Sequence, residues 1–528
     1  MRWIKIFFLF LCGFSLFSQE LIRLEGEREI IISQEKLKEL RLNTDLEAYR
    51  EYYAIRGLFQ EASLELNLNN SSSSSERQPI LTFNEPSLQL DLFLNFSNLA
   101  SEDQLFLSTE KGIKSIPSKP NRFLLSSFSN KQRLLFKDRF PFNNSRLKIE
   151  GLVISEIDSN VVLDDYGDAG LCQVNAICSV ATNNELSRAT TRILWINGSL
   201  AGWCTGTLVN NTAFDAKPYV LSAEHCALAG SLVSNNDLNR WVFFFNYLNP
   251  NCEGGNQESD IPQQQILGAS LRARSDDNGG DFGSDFLLLE LNQNIPASYN
   301  AYFAGWNRGP ILSSKGDCFH HSSGDAQKIS IYRQKPSITS YGGSIPNTHL
   351  EVFWQESKYG FGTTEGGSSG SALLDDNGLI LGTLTGGSSS CQQTELSDLF
   401  GRFSYSWLSN GDFPNQQLAP WLDPKKLGNL RLQGLNNGDN IDSTILNNIS
   451  VFPNPVQNGQ VEIKGFYDLQ SAVRVQLFSL AGNELQEIYT SPFAYGTIPL
   501  NLEPFRSGLY ILRIRQGNLQ KTFKIWIL

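Results

Sequence analysis

The sequence predicts an all-β protein divided into several domains, and three observations carry that expectation. Short β-prone runs such as TRILWING, WVFFFNYL, DFLLLEL and LILGTLTGG alternate with Gly/Asn/Ser turns between about residues 167 and 436, the texture of a sandwich or barrel. The runs VRVQLFSL, GLYILRIR and KTFKIWI repeat it over 448–528, where seven or so strands suit a small Ig-like β-sandwich. At 528 residues the chain exceeds what one compact core holds.

In chain order, Arg2 and Lys5 precede an apolar stretch from Phe7 to Phe17, with Ser18-Gln19 as a cleavage point: residues 1–19 read as an export signal. Cys12 follows the bulky Leu11, which disfavours a lipoprotein site, and no other segment is long enough to be transmembrane. Residues 20–166 read as a mixed segment. A helical-looking charged start (Gln34 to Tyr53) is followed by strand-like pieces broken by SSSSS at 71–75. This segment has no cysteine and no histidine, so it can supply neither a disulfide nor a histidine base. All four histidines and the seven cysteines that follow the signal lie in 167–436, and the polar run 437–447 reads as a linker.

A net charge of −11 without a Lys/Arg cluster argues against nucleic acid as the main partner. The cysteines form no CxxC and no histidine is spaced to join them, so no zinc site, other metal or cofactor is expected. The DDNGGD run at 276–281 lacks the downstream glutamate of a calcium loop and reads as a turn.

With so few histidines, each is informative. His225, in YVLSAEHC, directly follows a hydrophobic strand. Asp285, in GSDFLLLEL, directly precedes one, which puts its carboxylate at a strand mouth. Ser369, in EGGSSGSALLD, is flanked by glycines 366, 367 and 370, which permit a tight turn that pushes a hydroxyl outward and gathers backbone N–H groups. Singly, each has a bland reading as a structural histidine, a turn aspartate or a chance Gly/Ser string. Together, in the order His…Asp…Ser, they predict a nucleophilic triad on a chymotrypsin-like double β-barrel, with the N–H groups of Gly367 and Ser369 as the oxyanion hole.

Residues 167–436 resemble the bacterial lysyl endopeptidases, a branch of the trypsin-like serine proteases. The resemblance rests on GLCQVNAIC, CTGTLVNNTAFDAKPYVLSAEHC, FFNYLNPNC, SDFLLLEL, AGWNR, NTHLEV, TEGGSSGSALL, LGTLTGGSSSC, SDLFGR and WLDP. It implies bridges Cys172–Cys391, Cys178–Cys252 and Cys204–Cys226, leaving Cys318 as a buried thiol. It also implies Asp398, in SDLFGR, as the pocket carboxylate for a substrate ammonium, while Thr363, six residues before Ser369 where trypsin-like enzymes carry an aspartate, cannot pair with a cation. Tyr341 and Thr385 stand where the family carries a tryptophan and a histidine near the substrate. The expected activity is secreted serine endopeptidase cleavage of proteins or peptides after Lys. The alternatives are cleavage after Arg, Glu or an apolar residue, or a catalytically dead surface-binding protein.

Ser368 occupies the position where animal trypsins carry an aspartate for the new N-terminal ammonium, and serine cannot make that ion pair. Activation is therefore not expected to depend on insertion of a new N-terminus, and residues 20–166 are expected instead to act as a propeptide removed before full activity. With no Lys or Arg between Lys148 and Cys172, self-cleavage after a basic residue just before Gly167 is excluded. The final 80 or so residues resemble the type A sorting domain of the type IX secretion system through VFPNPVQNG, VQLFSLAGNEL and GLYILRIRQGNLQKTFKIWIL. That implies the secretion machinery as a partner, and release or attachment at the cell surface, with the enzyme expected to be monomeric.

Overall fold

The computed structural model describes residues 166–438 apart from 179–183, 253–257, 259–260, 262–263 and 343–344, residues 449–528 apart from 465–472, 491–496 and 517–518, and strands between residues 22 and 156. The expected signal segment, the helical-looking stretch Gln34 to Tyr53, the serine run and most of the 437–447 linker lie outside the described residues.

Described residues before 166 are all strand. Four of these strands, β1 (Ala54–Asn67), β2 (Leu88–Ser97), β3 (Arg122–Phe128) and β4 (Arg146–Glu156), form an antiparallel sheet in the order β1-β4-β2-β3. Leucine, isoleucine and phenylalanine bury its core, and Arg56 meets Asp91 through two bonds of 2.8 and 2.9 Å, so this buried charge is matched in kind and geometry.

Two six-stranded barrels follow. The first uses β5 (Thr190–Asn197), β6 (Leu200–Leu208), β7 (Tyr219–Ala223), β8 (Val242–Phe245), β9 (Gln264–Leu267), β10 (Ala269–Arg274) and β11 (Phe286–Leu291). The pairings run β5-β6-β7-β11-β10 and β9-β8-β5. Segments β9 and β10 are one strand bent at Gly268, so the ring closes. Gly268 has φ +83°, and a Cβ there would meet the Asn292 amide at 2.6 Å, which is why glycine makes the corner. On β11, Phe286, Leu287, Leu288 and Leu289 are all fully buried. Consecutive burial means both faces are covered, and each side chain contributes about 2 kcal/mol by leaving water.

The second barrel contains β12 (Gly316–His320), β13 (Lys328–Tyr332), β14 (His349–Phe353), β15 (Ala372–Asp375), β16 (Ile380–Gly387) and β17 (Ser397–Arg402) in the order β13-β12-β15-β16-β17-β14. The Gln355 N–H, just past β14, reaches Ile331 O on β13 at 2.8 Å and draws the ends together. The C-terminal unit is a sandwich of three strands (Ser450–Phe452, Gln460–Lys464, Thr497–Asn501) and four (Val473–Phe478, Glu484–Thr490, Gly508–Gln516, Leu519–Ile527), with its own core around Ile463, Leu477, Leu512 and Ile525.

The N-terminal sheet is continuous with the first barrel. β1 pairs antiparallel with β6, Leu58 opposite Leu200 and Ala54 opposite Trp203. The Gln265 amide grips the backbone of Leu124 in both directions, at 2.9 and 2.8 Å.

Candidate active site

β7 ends at Ala223 and turns through Glu224–Ala227, which sets His225 at the mouth of the first barrel. Asp285 immediately precedes β11 with φ +51°, a left-handed conformation that aspartate tolerates better than most residues. One Asp285 oxygen lies 2.7 Å from His225 Nδ1, and the other accepts the His225 backbone N–H at 2.9 Å. Asp285 is fully buried. Burial works against a cationic imidazole, but the charge and hydrogen bond of Asp285, with Glu224 behind, outweigh it and hold His225 above its ordinary pKa.

Ser369 lies on the loop entering β15. Thr205 on β6 holds this loop twice: its N–H donates to Ser369 O at 2.8 Å and its hydroxyl to Gly367 O at 2.8 Å. The Ser369 carbonyl passes 3.9 Å from Cys226 Sγ, next to His225. Gly370 allows this approach, since a Cβ there would meet Ser222 Oγ at 2.2 Å. The carbonyls of Gly366 and Ser368 accept the N–H groups of Ser323 (2.6 Å) and Ser371 (3.0 Å). In a trans peptide the following N–H points the opposite way, so the Gly367 and Ser369 N–H groups turn away from those donors; neither has an acceptor among the described residues.

Ser368 is buried against His320, Oγ to Nδ1 2.8 Å, with Ser322 Oγ at 3.2 Å. His320 Nε2 meets Ser330 Oγ at 3.0 Å, and burial pushes the imidazole down to about 3, so it is a neutral hydrogen-bonding bridge.

Asp398 on β17 is 1% exposed. It accepts Trp354 Nε1, Thr364 Oγ1 and Ser389 Oγ, each at 2.6 Å, and the Ser389 N–H at 3.2 Å. Burial raises its pKa, and these donors do not fully offset it. A Cβ on Gly387 would fall 2.1 Å from Asp398 Oδ1, so glycine leaves the room beside that oxygen. Thr363 is buried and accepts Gln173 Nε2 at 3.1 Å.

Tyr341 and Thr385 converge on a residue that sequence reasoning did not single out. The Tyr341 ring lies 5.5 Å from that of His349, and His349 Nε2 meets Thr385 Oγ1 at 3.0 Å. An imidazole therefore does stand beside this aromatic ring, supplied from β14 rather than from position 385. Burial lowers it to about 4, so it is neutral.

Behind His225, the carboxylate oxygens of Glu224, Asp277 and Asp285 lie within 4.8 Å of one another. Glu224 is saturated by donors of the chain itself: Arg274, Ser275 Oγ and the N–H groups of Asp276 and Asp277, each N–H at 3.0 Å. Asp277 accepts the N–H groups of Gly280 (2.8 Å) and Asp285 (2.9 Å). Burial, the Glu224 contact and the Asp285 charge push Asp277 up to about 8. The donors are the chain's own, so this is a clamp on the 274–285 loop rather than a coordination sphere.

Three disulfides tie the domain: Cys172–Cys391, Cys178–Cys252 and Cys204–Cys226. The last closes a 22-residue separation ending beside His225, worth about 3 kcal/mol by chain entropy. Cys318 is a buried free thiol whose pKa burial raises to about 12, so it is unreactive.

Residues 166–401 match the family described as lysyl endopeptidase, C-terminal domain, and residues 450–528 match the secretion system C-terminal sorting domain. A lysyl endopeptidase of Pseudomonas aeruginosa is 31% identical over 268 residues, 47% of this chain and 52% of that protein. The chain thus spans about half the length of that relative. Among solved structures, the secreted serine protease VesC of Vibrio cholerae overlaps 64% of this chain and 68% of its own, at 11% identity and a TM-score of 0.29. That likeness is too slight to carry an argument. The sorting domain marks the chain for type IX export, with release or attachment at the cell surface.

Proposed function

We propose that this chain is a secreted serine endopeptidase that cleaves proteins or peptides after lysine. The observation that carries the reading is the double hold of Asp285 on His225, in a region that matches the lysyl endopeptidase family. His225 accepts the Ser369 Oγ proton as the oxygen attacks the scissile carbonyl, and Asp285 fixes the imidazole tautomer and stabilises the cation that forms. The Gly367 and Ser369 N–H groups receive the developing oxyanion, where one donor is worth about 3 kcal/mol. His225 then returns the proton to the leaving amine, and water hydrolyses the acyl-enzyme.

Asp398 supports the lysine preference. A buried carboxylate whose charge is under-compensated favours an incoming ammonium over a neutral side chain by several kcal/mol. Tyr341 and Thr385, joined through His349, wall the substrate near Asp285. A Cβ on Gly280 would touch Thr385, Asp285 and Tyr341 at 3.1 to 3.3 Å. Residues 20–166 act as the propeptide.

The test is peptide-library cleavage by the exported protein, with Ser369→Ala as the control. Cuts after lysine that vanish in the variant are the expected result. Cuts after other residues remove Asp398 from the pocket, and no cuts at all favour a binding protein.

A further inference from the structure

Position 368 offers no carboxylate to a new N-terminus, but a different carboxylate already holds the backbone at Gly167. The Gly167 N–H donates to Asp325 Oδ1 at 2.8 Å. Asp325 is 5% exposed, while Gly167 lies at the surface. The other carboxylate oxygen pairs with Lys328 Nζ at 2.7 Å, and Lys328 continues to Asn175 Oδ1 at 2.8 Å. Asn175 Oδ1 also accepts Asn249 Nδ2, and Asn249 Oδ1 accepts the Tyr166 hydroxyl at 2.9 Å. The residues either side of the Tyr166–Gly167 bond are thus both anchored.

Asp325 closes the turn Ser322–Gly324 that supports the nucleophile loop. Its own N–H donates to Ser322 O at 2.8 Å. Within that turn Ser323 N–H holds Gly366 O, the carbonyl of the peptide whose N–H belongs to Gly367, and Ser322 Oγ contacts Ser368 Oγ. His321 N–H, at the start of the turn, binds the same Thr205 hydroxyl that holds Gly367 O. A short path of hydrogen bonds therefore joins Gly167 to both oxyanion donors.

We propose that Gly167 is the N-terminal residue of the active enzyme, and that its α-ammonium forms an ion pair with Asp325 that orders the oxyanion loop. The inference rests on the protease reading above. Hydrolysis of the Tyr166–Gly167 bond consumes one water and leaves a carboxylate on Tyr166 and an ammonium on Gly167. The agent is a second protease of non-basic specificity, because the residue before the bond is tyrosine. The amide nitrogen already lies at hydrogen-bond distance from Asp325, so the chain need not move for the neutral bond to become a charge-assisted one. The carboxylate then meets two cations, the ammonium on Oδ1 and Lys328 on Oδ2.

The experiment uses the full chain with DDDDK replacing residues 162–166, cut by enteropeptidase to expose Gly167. A matched chain has one alanine inserted before Gly167, and each is made with and without Asp325→Asn. Expected is a kcat about 10-fold higher for the Gly167 start than for the extended start, with KM little changed. The difference should disappear in Asp325→Asn. Equal kcat for the two starts, or an equal fall in both on Asp325→Asn, overturns the proposal. The thermal midpoint reads the pair without catalysis: the Gly167 start should melt higher than the extended form, with the gap closing in Asp325→Asn. A chain that shows this gap yet cleaves nothing keeps the ion pair and fails as a protease. Identical midpoints together with identical kcat values dismiss the pair alone.

Discussion

Asp285 holds His225 at two points, Nδ1 at 2.7 Å and the backbone N–H at 2.9 Å, so one carboxylate fixes both the ring and the main chain that carries it. Asp285→Asn keeps the shape but presents an amide where an acceptor is needed, favouring the wrong tautomer. The expected result is a kcat reduced about ten-thousand-fold, with KM changed only a few-fold. Steady-state kinetics on a lysyl ester or amide check this, and a loss under ten-fold would remove Asp285 from the triad.

The acid limb of activity should be set by His225, which must be neutral to accept a proton. Because its pKa is raised in the fold, kcat/KM should climb through a value above 6.5. His225 stabilises the fold in the opposite sense: its contribution is full below 6.5 and is lost as pH rises through the raised value.

Asp277 should add an alkaline limb to the activity profile. Neutral below about 8, it ionises above that beside Glu224 and Asp285, and the loop carrying Asp285 is then strained by like charge. Activity should fall above pH 8, and Asp277→Asn should remove that fall. The sign for stability follows from a folded pKa above the unfolded 3.8: the folded state keeps its proton longer, so stability is lost between about pH 4 and 8. Melting curves across that range should show Asp277→Asn gaining on the parent as pH rises. Parallel curves would mean the acid is ionised throughout.

Asp398→Asn should cost the lysine preference rather than catalysis. Trp354, Thr364 and Ser389 still frame the site, but the ammonium loses its counter-charge. A loss of about a hundred-fold or more in kcat/KM for lysyl substrates is expected, with neutral P1 substrates little affected. A uniform loss across substrates would assign Asp398 to structure.

The parts of this site legible in the sequence were those with local signatures. His225 and Asp285 each abut a run of apolar strand residues, and Ser369 sits among the glycines its turn demands. What was not legible depends on residues far apart in the chain. His349 meets Thr385 across 36 positions, and Gly167 meets Asp325 across 158. Glu224 carries no local signal of its role, because its donors come from a loop 50 to 53 residues downstream. The β character of the N-terminal segment was half visible: strand-like runs were evident, but their pairing onto β6 is a tertiary choice.

That pairing predicts how residues 20–166, proposed above as the propeptide, leave. β1 adds to the edge of β6 over Leu200–Trp203, and Ala54 reaches the active-site rim, where a Cβ on Gly366 would lie 3.5 Å from Ala54 Cβ. Main-chain pairing and the Gln265–Leu124 grip do not depend on the covalent link between the segments. The Arg240–Glu61 ion pair at 2.6 Å adds little, since Glu61 is largely exposed, and is worth under about 1 kcal/mol. A cut engineered between residues 157 and 165 should therefore leave the propeptide bound, co-eluting on gel filtration, with activity rising only as it is degraded. Gly57→Val should shorten that lag. A Cβ at Gly57 would lie 2.5 Å from Ile154 O, so a larger side chain forces β1 away from β4 and weakens the whole sheet's hold on β6. Full activity at the moment of cutting, with the propeptide already free, would show that the β1–β6 pairing contributes no inhibition.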